Sequence, residues 1–133
     1  RQINGNIHAI PSQWTSLFDK ASTALRIVHA GVALATPKGK DLVPHPALAH
    51  SIALNSDAFC KCELDYASAI AFLRREAITL HADTPRGYVL VTHQGMPLGF
   101  VKNIGNRANN LYPQEWRIKS THSPQPQQII KLR

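Results

Sequence analysis

The hairpin sequence YVLVTHQGMPLGFVK, residues 88–102, decides the fold. Its first six residues are the strongest strand signal in the chain, because Tyr, Val and Thr favour extended backbone. Gln94-Gly95-Met96-Pro97 has the composition of a turn, and residues 98–102 return as the partner strand. The sequence therefore predicts a β-hairpin here, followed by an irregular polar segment over residues 103–110.

Short elements are predicted upstream of the hairpin. Asp65 can cap a helix that runs to about Glu76, because the apolar residues that follow recur three and four positions apart. A short strand over residues 59–64 precedes this helix. Another helix is predicted from His45 to Leu54, where a proline in the first turn is followed by a wide apolar face.

The N-terminal third predicts one helix and two strands. The helix begins near Ser12, which is the predicted N-cap. Its apolar face contains Trp14, Leu17, Phe18 and Ala21. Residues 25–35 are predicted to form a strand that bends at Gly31. Residues 36–41 then form a turn before a second short strand at residues 42–43.

These interleaved elements place the chain in the α+β class, as a small curved sheet or partial β-barrel with short flanking helices. A length of 133 residues suits a single domain. We expect an N-terminal helical segment over residues 1–24, a folded domain over residues 25–118 and a loose C-terminal tail over residues 119–133. The tail is rich in proline and glutamine.

The positive charge is concentrated in the last third of the chain. Up to Asp83 there are eight Lys and Arg against seven acids, a net charge of +1. From Thr84 onward there are seven Lys and Arg against Glu115 alone, a net charge of +6. Such a one-sided field favours a polyanion, and nucleic acid in particular. The alternative is a basic surface without a ligand.

Membrane and metal-binding classes are not indicated. The longest apolar runs are far shorter than the roughly 20 residues of a membrane span. Cys60 and Cys62 lack the spacing of a zinc knuckle, and His45 and His50 are five residues apart rather than four. We expect both cysteines to point to the same side of a strand and to pack in the core. Free cysteines fit a reducing, cytoplasmic setting.

Catalytic patterns are also missing from the sequence. Ser51 and Ser56 sit in no glycine-flanked elbow, and the glycines match neither a dinucleotide-binding nor a P-loop spacing. We therefore predict no catalytic residue and no metal ligand.

The segment after the hairpin carries the candidate RNA contacts. Lys102 and Arg107 supply charge for phosphates, the asparagines supply amides, and Tyr112 could stack on a base. The predicted RNA-binding residues are Lys38, Lys40, Lys102, Asn103, Arg107, Asn110, Tyr112 and Arg117. Lys38 and Lys40 form a second cluster in this set. The alternative is an Asn-rich turn that bonds to its own backbone, with Tyr112 and Trp116 in the core.

Ordered sequence blocks carry a family resemblance. They are RGYVLV at residues 86–91, GMPLGFVK at residues 95–102, NNLYP at residues 109–113, and Trp116-Arg117. Upstream blocks in the same order are GVALA at residues 31–35, KGK at 38–40, PALA at 46–49 and AIAFLR at 69–74. Together they resemble the C-terminal region of bacterial rRNA cytosine-C5 methyltransferases of the Sun/RsmF type, over about residues 25–118.

The resemblance implies a PUA-like RNA-binding domain that follows a Rossmann-type catalytic domain using S-adenosylmethionine. In such enzymes a cysteine beside a proline attacks C6 of cytosine. Neither Cys60 nor Cys62 follows a proline, and the glycine-rich cofactor loop is absent. The chain, which begins at Arg1, is therefore expected to be a non-catalytic fragment without a cofactor of its own. It would dock RNA, with small-subunit rRNA expected, for the catalytic domain of its parent.

Two other interpretations remain open. The chain could be a structural domain that packs on the parent's catalytic domain without contacting RNA, which predicts an exposed apolar patch. That patch would contain Trp14, Leu17 and Phe18. A free-standing RNA-binding protein is the third interpretation.

Overall fold

Two four-stranded β-sheets form the frame of the chain, and short helices connect or cover them. The N-terminal sheet contains β1 (Gln2–Ile3), β2 (Asn6–Ala9), β3 (Val32–Lys38) and β4 (Asp41–Pro44). The C-terminal sheet contains β5 (Cys60–Glu63), β6 (Gly87–His93), β7 (Met96–Asn103) and β8 (Ala108–Asn110). The helices are α1 (Thr15–Ala24), α2 (Pro46–Ala49) and α3 (Tyr66–Leu73), and 3-10 turns occupy Ser12–Trp14 and Gln114–Trp116.

The computed structural model describes residues 1–55 and 57–122. Most of the predicted tail, including Lys131 and Arg133, lies outside the described residues, as does Ser56. Within the two described ranges, no helix has the length and apolar character needed to cross a membrane.

The two sheets pair their strands differently. The N-terminal sheet is an antiparallel meander in which each strand pairs with the next. In the C-terminal sheet β5 runs parallel to β6, and β6, β7 and β8 are antiparallel. The α+β class and the short flanking helices are confirmed. The sheet that was expected to curve into a partial barrel is two open sheets.

The predicted hairpin consists of β6 and β7, and its turn and a β-bulge together set the pairing of its strands. Gln94 (φ 49°) and Gly95 (φ 76°) both have positive φ, as the central residues of a type I′ turn must. The register shifts by one residue between Val91 and Thr92, so Tyr88 faces Lys102. Without this β-bulge Tyr88 would face Val101. The bulge therefore brings an aromatic ring and a cation onto the same face of the sheet.

Both faces of the C-terminal sheet are covered, which accounts for its continuous apolar strands. On one face Phe72 of α3 packs with Val89 and Val91. On the other face Ala49 of α2 packs with Leu90 and Phe100. Because consecutive residues of β6 are buried on opposite faces, the strand shows no alternation of polar and apolar residues.

Gly99 of β7 lies directly against the Phe72 ring. A Cβ atom at this position would stand 2.8 Å from Phe72 Cζ, and Phe72 is completely buried. We expect Gly99→Ala to lower the free energy of unfolding by about 2 kcal/mol, because the added methyl overpacks the core. Urea denaturation measures the loss. In a double-mutant cycle with Phe72→Leu, the two changes should cost less together than the sum of the single losses. Unchanged stability in Gly99→Ala would contradict this packing.

Two carboxylates hold the junction between β5 and α3. Glu63 accepts hydrogen bonds from the Thr92 hydroxyl and from Gly95 N, and the Thr92 bond chiefly lowers the pKa of Glu63. Asp65, the predicted N-cap, accepts a 2.7 Å hydrogen bond from Ser68 N, which lowers the pKa of Asp65. Both bonds favour the ionised form of the carboxylate.

These lowered pKa values predict acid sensitivity. Their contribution to stability is complete above the ordinary values of 4.5 for Glu63 and 3.8 for Asp65, and it is lost as the pH falls through the lower values of the folded state. We expect the free energy of unfolding to decline below about pH 4.5, measured by denaturation at a series of pH values. In Glu63→Gln combined with Asp65→Asn, which keep the acceptors, the decline should be shallower. An equally steep decline in that variant would exclude these groups as its cause.

Three predicted elements in the N-terminal half differ from the structure. The strand begins at Val32 rather than at residue 25, because the carbonyls of Val28 and Ala30 bond to the side chains of Asn4 and His8 instead of a neighbouring strand. The helix predicted to reach Leu54 ends at Ala49. Strands β1 and β2 were not predicted, so residues 1–24 are not purely helical. Ser12, the predicted N-cap, is instead the first residue of the 3-10 turn, and Trp14 occupies the N-cap position of α1.

Three details of the C-terminal half also differ. Helix α3 ends at Leu73, because Arg75 adopts a left-handed conformation (φ 64°) and Glu76 N donates back to Ala71 O, a Schellman-type ending without glycine. Residues 108–110, predicted to be irregular, form strand β8. Cys62 is buried as predicted, whereas Cys60 is exposed because it opens the edge strand β5.

Candidate nucleic-acid interface

Lys102 is the centre of a cluster of cations at one end of the C-terminal sheet. Its Nζ lies 5.5 Å from the centroid of the Tyr88 ring, directly across the hairpin. The same Nζ lies 3.3 Å from Asp41 Oδ2, and both side chains are partly exposed. Because Asp41 opens β4, this ion pair connects the two sheets.

The ion pair also brings Lys38 and Lys40 to Lys102. Lys38 is the cross-strand partner of Asp41, and Lys40 immediately precedes Asp41 in the tight turn between β3 and β4. Both lysines are exposed. The second cluster predicted from the sequence is therefore next to the first.

Arg86 and Arg107 add two cations beside the turn that follows β7. Arg107 is exposed in the turn between β7 and β8, where Ile104 N donates to Arg107 O at 3.1 Å. The Arg86 guanidinium lies against this turn, since a Cβ added at Gly105 would be 2.9 Å from its Nη2. Asn103, which follows Lys102, pairs with both Gly87 and Ala108. Both arginines therefore lie at the same end of the sheet as Lys102.

We call this surface the basic end. It contains Lys38, Lys40, Arg86, Lys102 and Arg107, together with Asp41 and Tyr88. These five cations and one carboxylate carry a net charge of +4. The field of such a surface attracts phosphates, and exposed lysines and arginines bind them with little loss of solvation.

The two predicted asparagines are held inside the fold. Asn103 is buried, its Nδ2 donates to Thr84 O and Pro85 O, and its Oδ1 accepts from Gly105 N. Asn110 Nδ2 donates to Phe72 O at 2.8 Å and to Glu76 O at 2.9 Å, while its Oδ1 accepts from Tyr112 N. Their amides shape turns and join strands, so we remove both from the candidate set.

Tyr112 is half-buried and packs against the core. Its ring centroid lies 5.3 Å from that of Phe72 and 6.0 Å from that of Trp116. Its backbone carbonyl accepts a 2.8 Å hydrogen bond from Arg75 Nε. Its ring makes a tilted contact with Phe72 and an edge contact with Trp116, so the fold already uses Tyr112, and its stacking on a base stays a prediction.

Arg117 lines a different depression from the basic end. This groove, of about 350 Å³, lies between the C-terminal end of α3 and the segment that follows Trp116. Its walls are formed by Arg74, Glu76, Arg117, Ile118, Lys119, Ser120 and Thr121. Four of the eight predicted residues thus meet at the basic end, and Arg117 stands apart with two other cations.

The sequence did not single out Arg86, Tyr88, Arg74 or Lys119. The position of Tyr88 opposite Lys102 depends on the β-bulge, which the hairpin sequence does not reveal. Arg86 was counted as charge and as the first residue of the RGYVLV block, but not as an RNA contact. Arg86 immediately precedes the first residue of the predicted hairpin, and this position could have indicated that it lies at the end of the sheet. In the structure Arg86 lies beside the turn between β7 and β8.

The described part of the chain has neither a set of metal ligands nor a glycine-rich cofactor loop. No group of three His, Cys, Asp or Glu side chains among those residues could hold a metal ion. A cofactor loop needs glycines between a strand and the start of a helix. The glycines of the C-terminal sheet lie instead at the start of β6, at turns, and within β7 at Gly99. The residues therefore do not fit S-adenosylmethionine.

Comparison with known proteins agrees with this architecture. The family of the methyltransferase RsmF PUA domain matches residues 59–118, which include the whole C-terminal sheet and α3. The chain is 32% identical over 93 residues to ribosomal RNA small subunit methyltransferase F of Erwinia tasmaniensis, covering 68% of the chain and 19% of that relative. It is 33% identical over 92 residues to the protein of the same name in Shewanella loihica, covering 68% and 18%.

The similarity to these relatives covers only part of their length. The chain spans about a fifth of the length of these curated relatives. Arg86, Lys102 and Arg107 lie inside the matched family segment, whereas Lys38 and Lys40 lie before it. The resemblance inferred from the ordered sequence blocks is confirmed: residues 59–118 match the family of the methyltransferase RsmF PUA domain, and the chain is similar to the corresponding part of two small-subunit rRNA methyltransferases.

Proposed function

We propose that this chain is a non-catalytic RNA-docking domain that holds rRNA through the basic end. The observation that carries the proposal is the Lys102–Asp41 ion pair, which gathers cations from both sheets around one point. By analogy with the names of its relatives, the RNA would be small-subunit rRNA. The domain would serve the catalytic domain of an S-adenosylmethionine-dependent cytosine-C5 methyltransferase in the cytoplasm.

The chemistry of the basic end favours contacts with the RNA backbone. Lysines and arginines bind phosphates, whereas base recognition needs free amides or an open aromatic face. The candidate amides are used within the fold, and the Lys102 ammonium already lies over the Tyr88 ring. We therefore propose that this surface recognises the shape and charge of RNA with little preference for sequence.

Methyl transfer would depend on residues outside this chain. S-adenosylmethionine supplies the methyl group in such enzymes, but the described residues do not fit it, so no catalytic step is assigned to them. The contribution of this chain would be to raise the local concentration of RNA at the catalytic domain.

A salt series tests the proposal. With four net positive charges engaged, log Kd for a small-subunit rRNA fragment should rise linearly with log salt concentration, with a slope of about 3 to 4. Fluorescence anisotropy of labelled RNA gives this slope, and an unlabelled RNA of unrelated sequence but equal length should compete within about tenfold. The proposal fails if no binding is detected at low salt.

An exposed apolar face supports a second role, packing against the parent's catalytic domain. Helix α1 buries none of its residues. Trp14 is 52% exposed and Leu17 60% exposed, and Leu25 and Val28 extend the same apolar segment at 68% and 72%. Phe18, the third member of the predicted patch, is only partly exposed. We infer that this exposed apolar segment is the surface that would pack against the catalytic domain.

The two roles use different surfaces, so both can hold for one domain. Amide hydrogen exchange in the 133-residue chain and in a full-length methyltransferase that carries it tests the second role. Protection of α1 should increase in the longer protein, while the turns of the basic end should exchange equally in both. Equal exchange of α1 in the two proteins would exclude the packing role.

A further inference from the structure

We propose that the groove beside the C-terminal end of α3 is a second phosphate site, which binds the same RNA as the basic end. The inference rests on the proposed function for the identity of its ligand. The evidence that the groove binds an anion comes from its own lining residues. The groove holds about 350 Å³, and since a water molecule fills about 30 Å³, a phosphate group and several waters fit there.

Arg74 supplies the first argument. Its Nη2 donates a 2.9 Å hydrogen bond to His122 O, which fixes the guanidinium at the wall of the groove. Its Nε is buried and has no hydrogen-bond partner among the described residues. The bond to His122 O thus holds a positive charge at the groove wall, where it would attract an anion.

The remaining walls of the groove supply the second argument. Arg117 and Lys119 add two positive charges, and Ser120 and Thr121 add hydroxyl donors. Glu76 is the single acid there, and no ion pair within 4 Å joins it to a described cation. The described lining thus has a net charge of +2. Three cations and two hydroxyl residues on one groove match the chemistry of a phosphate ligand.

The groove is close enough to the basic end to share one RNA strand with it. Arg107 precedes β8, and Asn110 ends it, so the two Cα atoms are at most about 10 Å apart. Asn110 in turn donates to Glu76 O at 2.9 Å, and Glu76 lines the groove. A backbone that leaves the basic end therefore reaches the groove within a few nucleotides, and simultaneous contact raises affinity for RNAs long enough to span both.

Inorganic phosphate tests the groove without RNA. We expect the Arg74 Nε–H signal in the NMR spectrum of the 133-residue chain to shift in a saturable way as phosphate is added. In Arg117→Ala combined with Lys119→Ala, which leaves Arg74 in place, that shift should disappear. Absence of a saturable shift in the wild-type chain, or an equal shift in the variant, would overturn the site.

RNA binding tests its role. The Arg117→Ala and Lys119→Ala variant should bind an RNA that spans both surfaces about tenfold more weakly, with a salt slope smaller by about 2. Lys20→Ala combined with Arg26→Ala, an equal loss of charge at exposed positions in and after α1, is the matched control and should change neither quantity. Equal RNA affinity in the groove variant and the control overturns the second contact. If the wild-type chain binds phosphate but no RNA, the proposed function fails while the groove remains an anion site.

Discussion

Replacing Lys40, Lys102 and Arg107 with alanine is expected to weaken RNA binding about a hundredfold. Each side chain is at least partly exposed at the basic end, and the only carboxylate in that cluster is Asp41. An exposed charge-assisted contact contributes about 1 kcal/mol, so three contribute about 3 kcal/mol. The slope of log Kd against log salt should fall by about 2 to 3. Fluorescence anisotropy at several salt concentrations measures both quantities.

A variant of equal charge separates a site from a general field. Lys20, Arg26 and Lys61 are exposed and lie outside the basic end. Changing all three to alanine removes the same three charges and should weaken binding by no more than about threefold, because distant exposed charges are screened by salt. If both triple variants lose equal affinity, the RNA responds to net charge alone, and no localised interface exists.

Replacing Asn110 with alanine is expected to lower the free energy of unfolding by about 3 kcal/mol. The change leaves Glu76 O and Tyr112 N without their side-chain partner and removes one bond to Phe72 O. Each buried polar group left unsatisfied costs about 1 to 3 kcal/mol, and partial exposure of these groups reduces the sum. Chemical denaturation measures the loss. RNA affinity of the folded protein should change by less than about twofold.

Asn109 provides the control on the same strand. It is exposed and pairs across the ladder with Lys102, so Asn109→Ala should change stability by less than about 0.5 kcal/mol. If Asn110→Ala instead keeps full stability and weakens RNA binding, Asn110 is an RNA contact and its assignment to the fold is wrong.

The elements that the sequence predicted best are those set by local chemistry. The hairpin follows from its β-propensity and its turn, and the start of α3 follows from Asp65 as an N-cap. Elements set by tertiary contacts were harder to predict. The helix at Pro46 stops after one turn, and Leu54 packs against the Ala49, Leu90 and Phe100 cluster from the segment beyond it, while Ile52 is fully exposed. Apolar composition alone did not reveal this limit.

The candidate site likewise combines features that local sequence predicts with features that depend on tertiary contacts. Charge counting directed attention to Lys102 and Arg107, but Lys102 contacts Asp41 across 61 positions of sequence. No local pattern predicts that contact, or the one-residue bulge that places Lys102 opposite Tyr88. The Asn-rich segment was ambiguous because an amide that binds a base and an amide that binds backbone look identical in sequence. Asn103 and Asn110 bind backbone.

Titration of a small-subunit rRNA fragment into the isotope-labelled chain, followed by NMR, tests the central claim most directly. The account predicts that the largest shifts fall on the backbone amides of residues 38–41, 86–88 and 102–108, with smaller shifts at residues 117–121. The amides of α1 should be unaffected. Shifts confined to α1, or spread evenly over exposed lysines such as Lys20 and Lys61, would contradict an RNA interface at the basic end.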